Sequence, residues 1–215
     1  MSKNADTYQS FVDTYDSRSD EMGWHVPGVI FGLMYMHLRP GQTLLDVGIG
    51  TGLGSVRFHK AGLVVHGLDN SSSMLDRCRE KGLTAGLVHH DLADLPWPFE
   101  NESFHHAVSI GVLHFFGDLT SLFSEVSRLV KPGGIFGFDF FEHATEVNKG
   151  YRKVQSGVYS RHDPHYGGKV YRHKESYILG LLAGTGFSVL DDTELLASWE
   201  KESCFRIITA RKLHG

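Results

Sequence analysis

Between Thr43 and Phe140, short runs rich in Val, Leu, Ile and Phe alternate with longer segments whose apolar residues fall at helical spacing. This alternation constrains the fold more than any other feature of the chain. A strand covered on both faces reads as a continuous apolar run, and reaching a parallel neighbour takes a crossover of the length the helical segments supply. The strand candidates are Thr43–Val47, Val64–Leu68, Ala85–His90, His106–Ile110 and Ile135–Phe140. The spacing predicts helices over Gly52–Ala61, Ser71–Lys81 and Leu119–Val130, the second begun by serines able to cap free amides and stopped by Gly82. Lys131-Pro132-Gly133-Gly134 predicts a turn. Residues before about Pro40 read as polar, aromatic-studded helices, and Phe141–Tyr171 lose the rhythm. Lys174–Thr185 resumes it, and 186–190 and Phe205–Ala210 read as two last strands. The expected layout is one domain over 1–215: a helical cap at 1–40, a core at 41–140, an insertion or flap at 141–173, and a closing helix with two strands at 174–215.

At 215 residues the chain can bury one α/β core but is short for two. Its net charge of -4 offers no field that would draw in a phosphate backbone, so nucleic acid is not the expected partner. Cys78 and Cys204 form no CxxC pair, and neither a disulfide framework nor a zinc knuckle is expected. The polar, acidic start lacks the basic and apolar regions of a signal peptide, and no run is long enough to span a bilayer. The expectation is therefore a cytoplasmic protein with no membrane partner.

Leu44-Leu45-Asp46-Val47-Gly48-Ile49-Gly50-Thr51-Gly52-Leu53-Gly54 is a buried strand entering a glycine-dense loop at a helix start. Glycines there permit positive φ and let backbone approach a flat ligand closely, although the same residues could make an ordinary turn. Val64–Leu68 then ends in Asp69-Asn70, where a second strand can offer a carboxylate to ribose hydroxyls. The rival reading of Asp69 is a simple cap for the helix that Ser71 begins. The dinucleotide pattern GxGxxG fails from Gly48 at Leu53 and from Gly50 at Ser55.

The pattern is instead acid-x-Gly-x-Gly-x-Gly beginning at Asp46, and it resembles motif I of the class I S-adenosylmethionine-dependent methyltransferases. The resemblance continues in order through Asp69-Asn70-Ser71-Ser72-Ser73-Met74-Leu75, Val88-His89-His90-Asp91-Leu92, Leu95-Pro96 with Phe99 and Ser103–Val108, Ser109–Phe115, and Leu129–Gly134. It departs at Phe115, where the family pattern has a second histidine. The resemblance implies a three-layer Rossmann-like α/β sandwich on a seven-stranded, mostly parallel sheet, with the last strand, Phe205–Ala210, antiparallel beside Ile135–Phe140. It implies S-adenosylmethionine as cofactor and S-adenosylhomocysteine as product. Gly48, Gly50 and Gly52 would then face the methionine and ribose, Asp69 the ribose hydroxyls, and Asp91 the adenine amino group. Met74 and Leu92 would pack on the adenine, with Asp46, Asn70 and Ser109 completing the lining.

Methyl transfer needs alignment and exclusion of water more than proton chemistry. The resemblance implies an acceptor pocket built from about 8–37, 111–118 and 141–173. Tyr8, Phe11, Tyr15, Trp24, His25 and Tyr35 are candidates for a lid, with Tyr15, Trp24, His25 and Tyr159 as pocket residues. They could equally seal a core edge. His114 is the candidate general base, with a structural role as its rival. His162-Asp163-Pro164-His165 with His173 is read as part of a polar, flexible flap rather than a metal site, because Pro164 distorts the spacing. His89, His90, His105 and His106 are expected at the surface or sheet edge. The leading functional reading is methylation of a small molecule. A non-catalytic cofactor-binding partner protein and a nicotinamide oxidoreductase are the alternatives, and the oligomeric state stays open.

Overall fold

A computed structural model describes residues 14–19, 21, 23–143, 150–164, 167–196 and 204–214. The strands are β1 (Thr43–Val47), β2 (Val64–Asp69), β3 (Gly86–His89), β4 (Phe104–Ser109), β5 (Val130–Phe141), β6 (Arg152–Gln155), β7 (Val158–Asp163), β8 (Gly168–His173), β9 (Phe187–Leu196) and β10 (Cys204–Lys212). The helices are α1 (Val26–Met34), α2 (Val56–Lys60), α3 (Ser72–Glu80), α4 (Thr120–Leu129) and α5 (Glu175–Gly184). Seven strands form one sheet in the order β3-β2-β1-β4-β5-β10-β9. The first five are parallel, and β10 runs antiparallel between β5 and β9, with Phe205 opposite Phe141 and Arg211 opposite Ile135. This is the expected three-layer α/β fold.

Alternation along the strands divides the core between two layers. Leu45, Val47, Ala107, Phe136, Phe138 and Phe140 face α4 and α5, where the Phe123 ring lies 5.6 Å from Phe136 and 5.3 Å from Phe138. Each such edge-to-face pair adds about 1 kcal/mol beyond its buried area. Leu44, Val65, Val108, Ile135 and Ile207 face α1, α2 and α3. Helix α1 rests directly on β5: a Cβ at Gly137 would come within 2.6 Å of Met34 Sδ, so only glycine allows this approach.

Three local expectations need correction. Lys131-Pro132-Gly133-Gly134 is the irregular opening of β5 rather than a free turn, because Val130 already pairs with Phe104 before the register shifts. The insertion has a regular structure where irregular chain was expected: β6, β7 and β8 form an antiparallel sheet, with Val158 and Val170 buried, joined to the end of β5 by a bridge between Glu142 and His173. His106 is buried, not at the surface: Ile135 N–H donates to its Nδ1 at 3.1 Å, and its Nε2 donates to Gln42 Oε1 at 3.0 Å. With the ring satisfied as a neutral imidazole, burial pushes its pKa down to about 4.

Candidate cofactor and acceptor site

Strand β1 delivers the chain into Gly48, Gly50 and Gly52, all with positive φ. A Cβ at Gly48 would lie 2.5 Å from Val112, and one at Gly52 would lie 2.7 Å from Cys78 Sγ, so both glycines are required by packing. A Cβ at Gly50 would meet nothing within 4 Å. Of the three, Gly50 is the one whose missing side chain leaves open space at the strand ends.

Asp69 takes the role at the helix start and a second one within the loop. Its Oδ1 accepts Ser71 N–H at 2.8 Å at the start of α3, and its Oδ2 accepts Gly50 N–H at 2.8 Å, tying the end of β2 to the glycine loop. Ser71 Oγ itself accepts Met74 N–H as the helix cap. Each carboxylate oxygen keeps acceptor capacity beyond these bonds. Burial pushes the Asp69 pKa up, and the Ser71 and Gly50 amides act against that rise. Asp46 is buried behind the loop and accepts from Ser55 Oγ at 2.6 Å. Burial raises its pKa to about 7 despite that bond.

The segment 14–19 is helical and lies on this loop. Asp16 accepts from Thr51 Oγ1 at 2.5 Å and pairs with Lys81, whose Nζ donates to the Thr51 carbonyl. The Tyr15 phenol is raised to about 12 by burial and by the charges of Asp139, Asp16 and Asp69, so it sits among these carboxylates. The Trp24 ring covers Gly111, where a Cβ would come within 3.0 Å of it. Tyr15 and Trp24 therefore converge on the glycine-loop edge. His25 is exposed just before α1. Tyr35 follows the far end of α1, and His37, two residues on, meets Arg211, which pairs with Ile135 in the first half of β5, so Tyr35 lies away from the glycine loop. Tyr8 and Phe11 lie outside the described residues.

The other cofactor candidates are dispersed around the same edge. Met74 is buried on α3. Asn70 and Asp91 are exposed, with Asp91 Oδ1 accepting Ala93 N–H at 2.9 Å. The Leu92 side chain belongs to the core around Trp97, whose Nε1 donates to the Leu92 carbonyl. Ser109 is fully buried and gives its hydroxyl hydrogen to the Val47 carbonyl at 3.1 Å, linking β4 to β1.

His114 occupies a 3-10 turn after β4 and stacks on Phe141 with ring centroids 4.4 Å apart. Burial first, then His173 and Arg172, push its pKa down to about 3, against the opposing charge of Asp163. The ring is thus neutral and weakly basic, packed as a core aromatic. Tyr159 lies in the second sheet, stacked on His143 with ring centroids 3.5 Å apart. Among the described residues no three His, Cys, Asp or Glu side chains are grouped to hold a metal ion.

Sequence reasoning missed Asp139. It is buried at the end of β5, and its Oδ1 accepts Gly111 N–H at 2.7 Å. The signal was present as a lone acid inside the apolar run Ile135–Phe141. The Asp16–Thr51–Lys81 clamp had no such signal, since it joins three segments distant in sequence.

Comparison with known proteins agrees with this geometry. The family profile described as a methyltransferase domain matches residues 45–138. Phosphoethanolamine N-methyltransferase 2 of Caenorhabditis elegans is 36% identical over 102 residues, which cover 45% of this chain and 23% of that protein. The demethylmenaquinone methyltransferase of Corynebacterium kroppenstedtii is 35% identical over 96 residues, covering 45% and 40%. The chain thus spans less than half the length of either relative. A solved S-adenosylmethionine-dependent methyltransferase of Methanosarcina mazei superposes with a TM-score of 0.71 at 22% identity, covering 85% of this chain and 98% of the other. A Burkholderia thailandensis 1,6-didemethyltoxoflavin N1-methyltransferase, solved with its substrate and S-adenosylhomocysteine, gives 0.69 at 20% identity, covering 99% and 90%. Ordered motifs, the reversed β10 and the matched profile agree: residues 45–138 are similar to a methyltransferase domain, carried on the fold that solved S-adenosylmethionine-dependent methyltransferases share.

Proposed function

We propose that this protein transfers the methyl group of S-adenosylmethionine to a small-molecule acceptor by in-line displacement. The observation that carries the reading is the open space at Gly50 beside the Asp69 carboxylate, a cradle between two glycines whose own side-chain directions are filled. The cofactor, when bound, supplies an electrophilic methyl on a sulfonium centre. The glycine loop holds it through backbone amides, Asp69 takes the ribose hydroxyls, and Met74 and Asp91 receive the adenine. Ser109 contributes through the end of β4 and Leu92 through the loop after β3, since the Ser109 hydroxyl is engaged with Val47. Tyr15, Trp24 and the 141–173 insertion exclude water from the acceptor side. An acceptor of small size is supported by the names of the relatives, which include a phosphoethanolamine and a demethylmenaquinone methyltransferase, and by the net charge of -4, which disfavours nucleic acid.

Calorimetry with S-adenosylhomocysteine and with NADH tests the cofactor, and a methyl-labelled cofactor offered with metabolite extract tests transfer. Micromolar or tighter binding of S-adenosylhomocysteine with no heat from NADH is expected, followed by label in a low-mass product. Absence of S-adenosylhomocysteine binding would overturn the reading.

A further inference from the structure

Asp139 is the only charged residue in Ile135–Phe141, and it is 1% exposed. Its Oδ1 accepts the Gly111 amide, while its Oδ2 has no hydrogen-bond partner among the described residues. The influences on the carboxyl are burial, which raises its pKa to about 7, then the amides of Gly111 and of Asp139 itself; no cationic side chain is among them. The side chains that these interactions link to it are acidic or aromatic. Asp139, Asp16 and Asp69 all act on the Tyr15 phenol, Asp69 acts on Asp46, and Trp24 covers the Gly111 backbone that Asp139 holds.

A buried carboxylate without a counter-charge is costly, so such a group either keeps a proton or receives a cation. An organic ammonium would supply the charge and N–H donors together, and aromatic rings such as those of Tyr15 and Trp24 suit a cation. We propose that Asp139 anchors an organic ammonium group, through its unpartnered Oδ2, on the side of the sheet where Tyr15 and Trp24 lie. The inference rests on the cofactor reading above. Two ligands could bring that chemistry there: the amino-acid end of the cofactor, or an amine acceptor.

Asp139→Asn separates them, because the amide keeps an acceptor for Gly111 N–H and removes only the charge. Wild type and variant are titrated with S-adenosylhomocysteine and with its deaminated analogue. The S-adenosylhomocysteine-saturated proteins are then titrated with ethanolamine, phenethylamine and tyramine, each beside the alcohol that replaces its amine. If the cofactor supplies the ammonium, the variant binds S-adenosylhomocysteine about tenfold or more weakly, and the deaminated analogue binds both proteins alike. If the acceptor supplies it, S-adenosylhomocysteine binds both alike, and at least one amine prefers the wild type about tenfold while its alcohol does not. Binding of S-adenosylhomocysteine within about twofold, with no amine distinguishing the proteins, overturns the proposal. So does a lower melting temperature for the variant at pH 8, which would mean that the charge serves the fold; an equal or higher value is expected. Should the wild type bind no S-adenosylhomocysteine, the cofactor reading fails, and the amine series repeated on the free protein decides Asp139 by itself.

Discussion

Gly50 and Gly52 stand two residues apart in one loop and meet opposite surroundings, open space at the first and the Cys78 sulfur at the second. Gly50→Val should abolish S-adenosylhomocysteine binding and cost only the strain of a side chain at positive φ, about 2 kcal/mol. Gly52→Val should lose that and roughly 1–3 kcal/mol more, because Cys78 and Leu83 must move. Paired melts and calorimetry check the order; a Gly50 variant that binds normally, or melts below the Gly52 variant, contradicts the assignment of open space. Asp69→Ala removes the proposed acceptor for the ribose hydroxyls and the brace between Ser71 and Gly50. A charge-assisted bond of about 1.5–3 kcal/mol corresponds to a loss of roughly tenfold to a hundredfold in affinity. Unchanged binding by a folded variant would remove Asp69 from the site.

Helix α4 stabilises more than its apolar stripe suggests, because its polar residues hold the loop that carries Leu92 to the sheet edge. Glu125 Oε2 accepts Trp97 N–H at 2.7 Å and pairs with Arg128, which donates to the carbonyls of Trp97 and Phe99. The Glu125 carboxyl is held below the usual range, chiefly by its hydrogen bond from Arg128. Glu125→Ala would leave the buried Trp97 amide without its acceptor and Arg128 without its counter-charge. The expected loss is about 2 kcal/mol, a fall in melting temperature of roughly 4–8 °C. A change below roughly 1 °C would show that the loop is held by Trp97 burial alone. The insertion is also an element whose character depends on its partners. Its strands carry few apolar residues, yet β8 buries Val170, Arg172 and His173 against the end of β5 and the turn that holds His114.

Across the whole molecule, two sets of buried groups give stability opposite responses to pH. Asp46 and Asp139 are raised from 3.8 to about 7, so the folded protein holds protons that the unfolded chain releases. Their contribution is present below about pH 4 and is lost as pH rises through about 7. His106, His114 and His173 are lowered from 6.5 to about 4, 3 and 4, so their contribution is lost as pH falls below 6.5. The two sets cancel in part in the wild type, and a variant separates them. The stability of Asp139→Asn relative to wild type should rise by about 2 kcal/mol between pH 5 and pH 8, because only the wild type must ionise a buried acid. Denaturant titrations at both pH values measure this, and a gap that stays constant would mean that Asp139 is not buried without a counter-charge. Arg206 binds the closing segment together through Glu142, Glu175 and Asp192, so it joins β10 to the end of β5, to α5 and to β9.

The succession of strands and helices in the core and the position of the glycine loop ahead of Asp69 are legible from the residues alone. Those features follow from local periodicity, turn chemistry and backbone freedom, and motif order was enough to imply the reversed β10. Periodicity fails where both faces of a strand are covered. His106 stands in such a run, and only its bonds to Ile135 and Gln42 reveal that it points inward. The same limit hid Asp139, whose lone charge was visible but whose direction was not. Only the folded chain shows that Tyr15 and Trp24 reach the glycine-loop edge while Tyr35 lies toward the start of β5, because that depends on where α1 begins and ends. It also decided which of three equivalent-looking glycines leaves room for a ligand, since the obstacles at Gly48 and Gly52 are side chains from Val112 and Cys78. Contacts between residues so far apart in the chain leave no periodic trace in sequence, and they are what turn a common loop into a site.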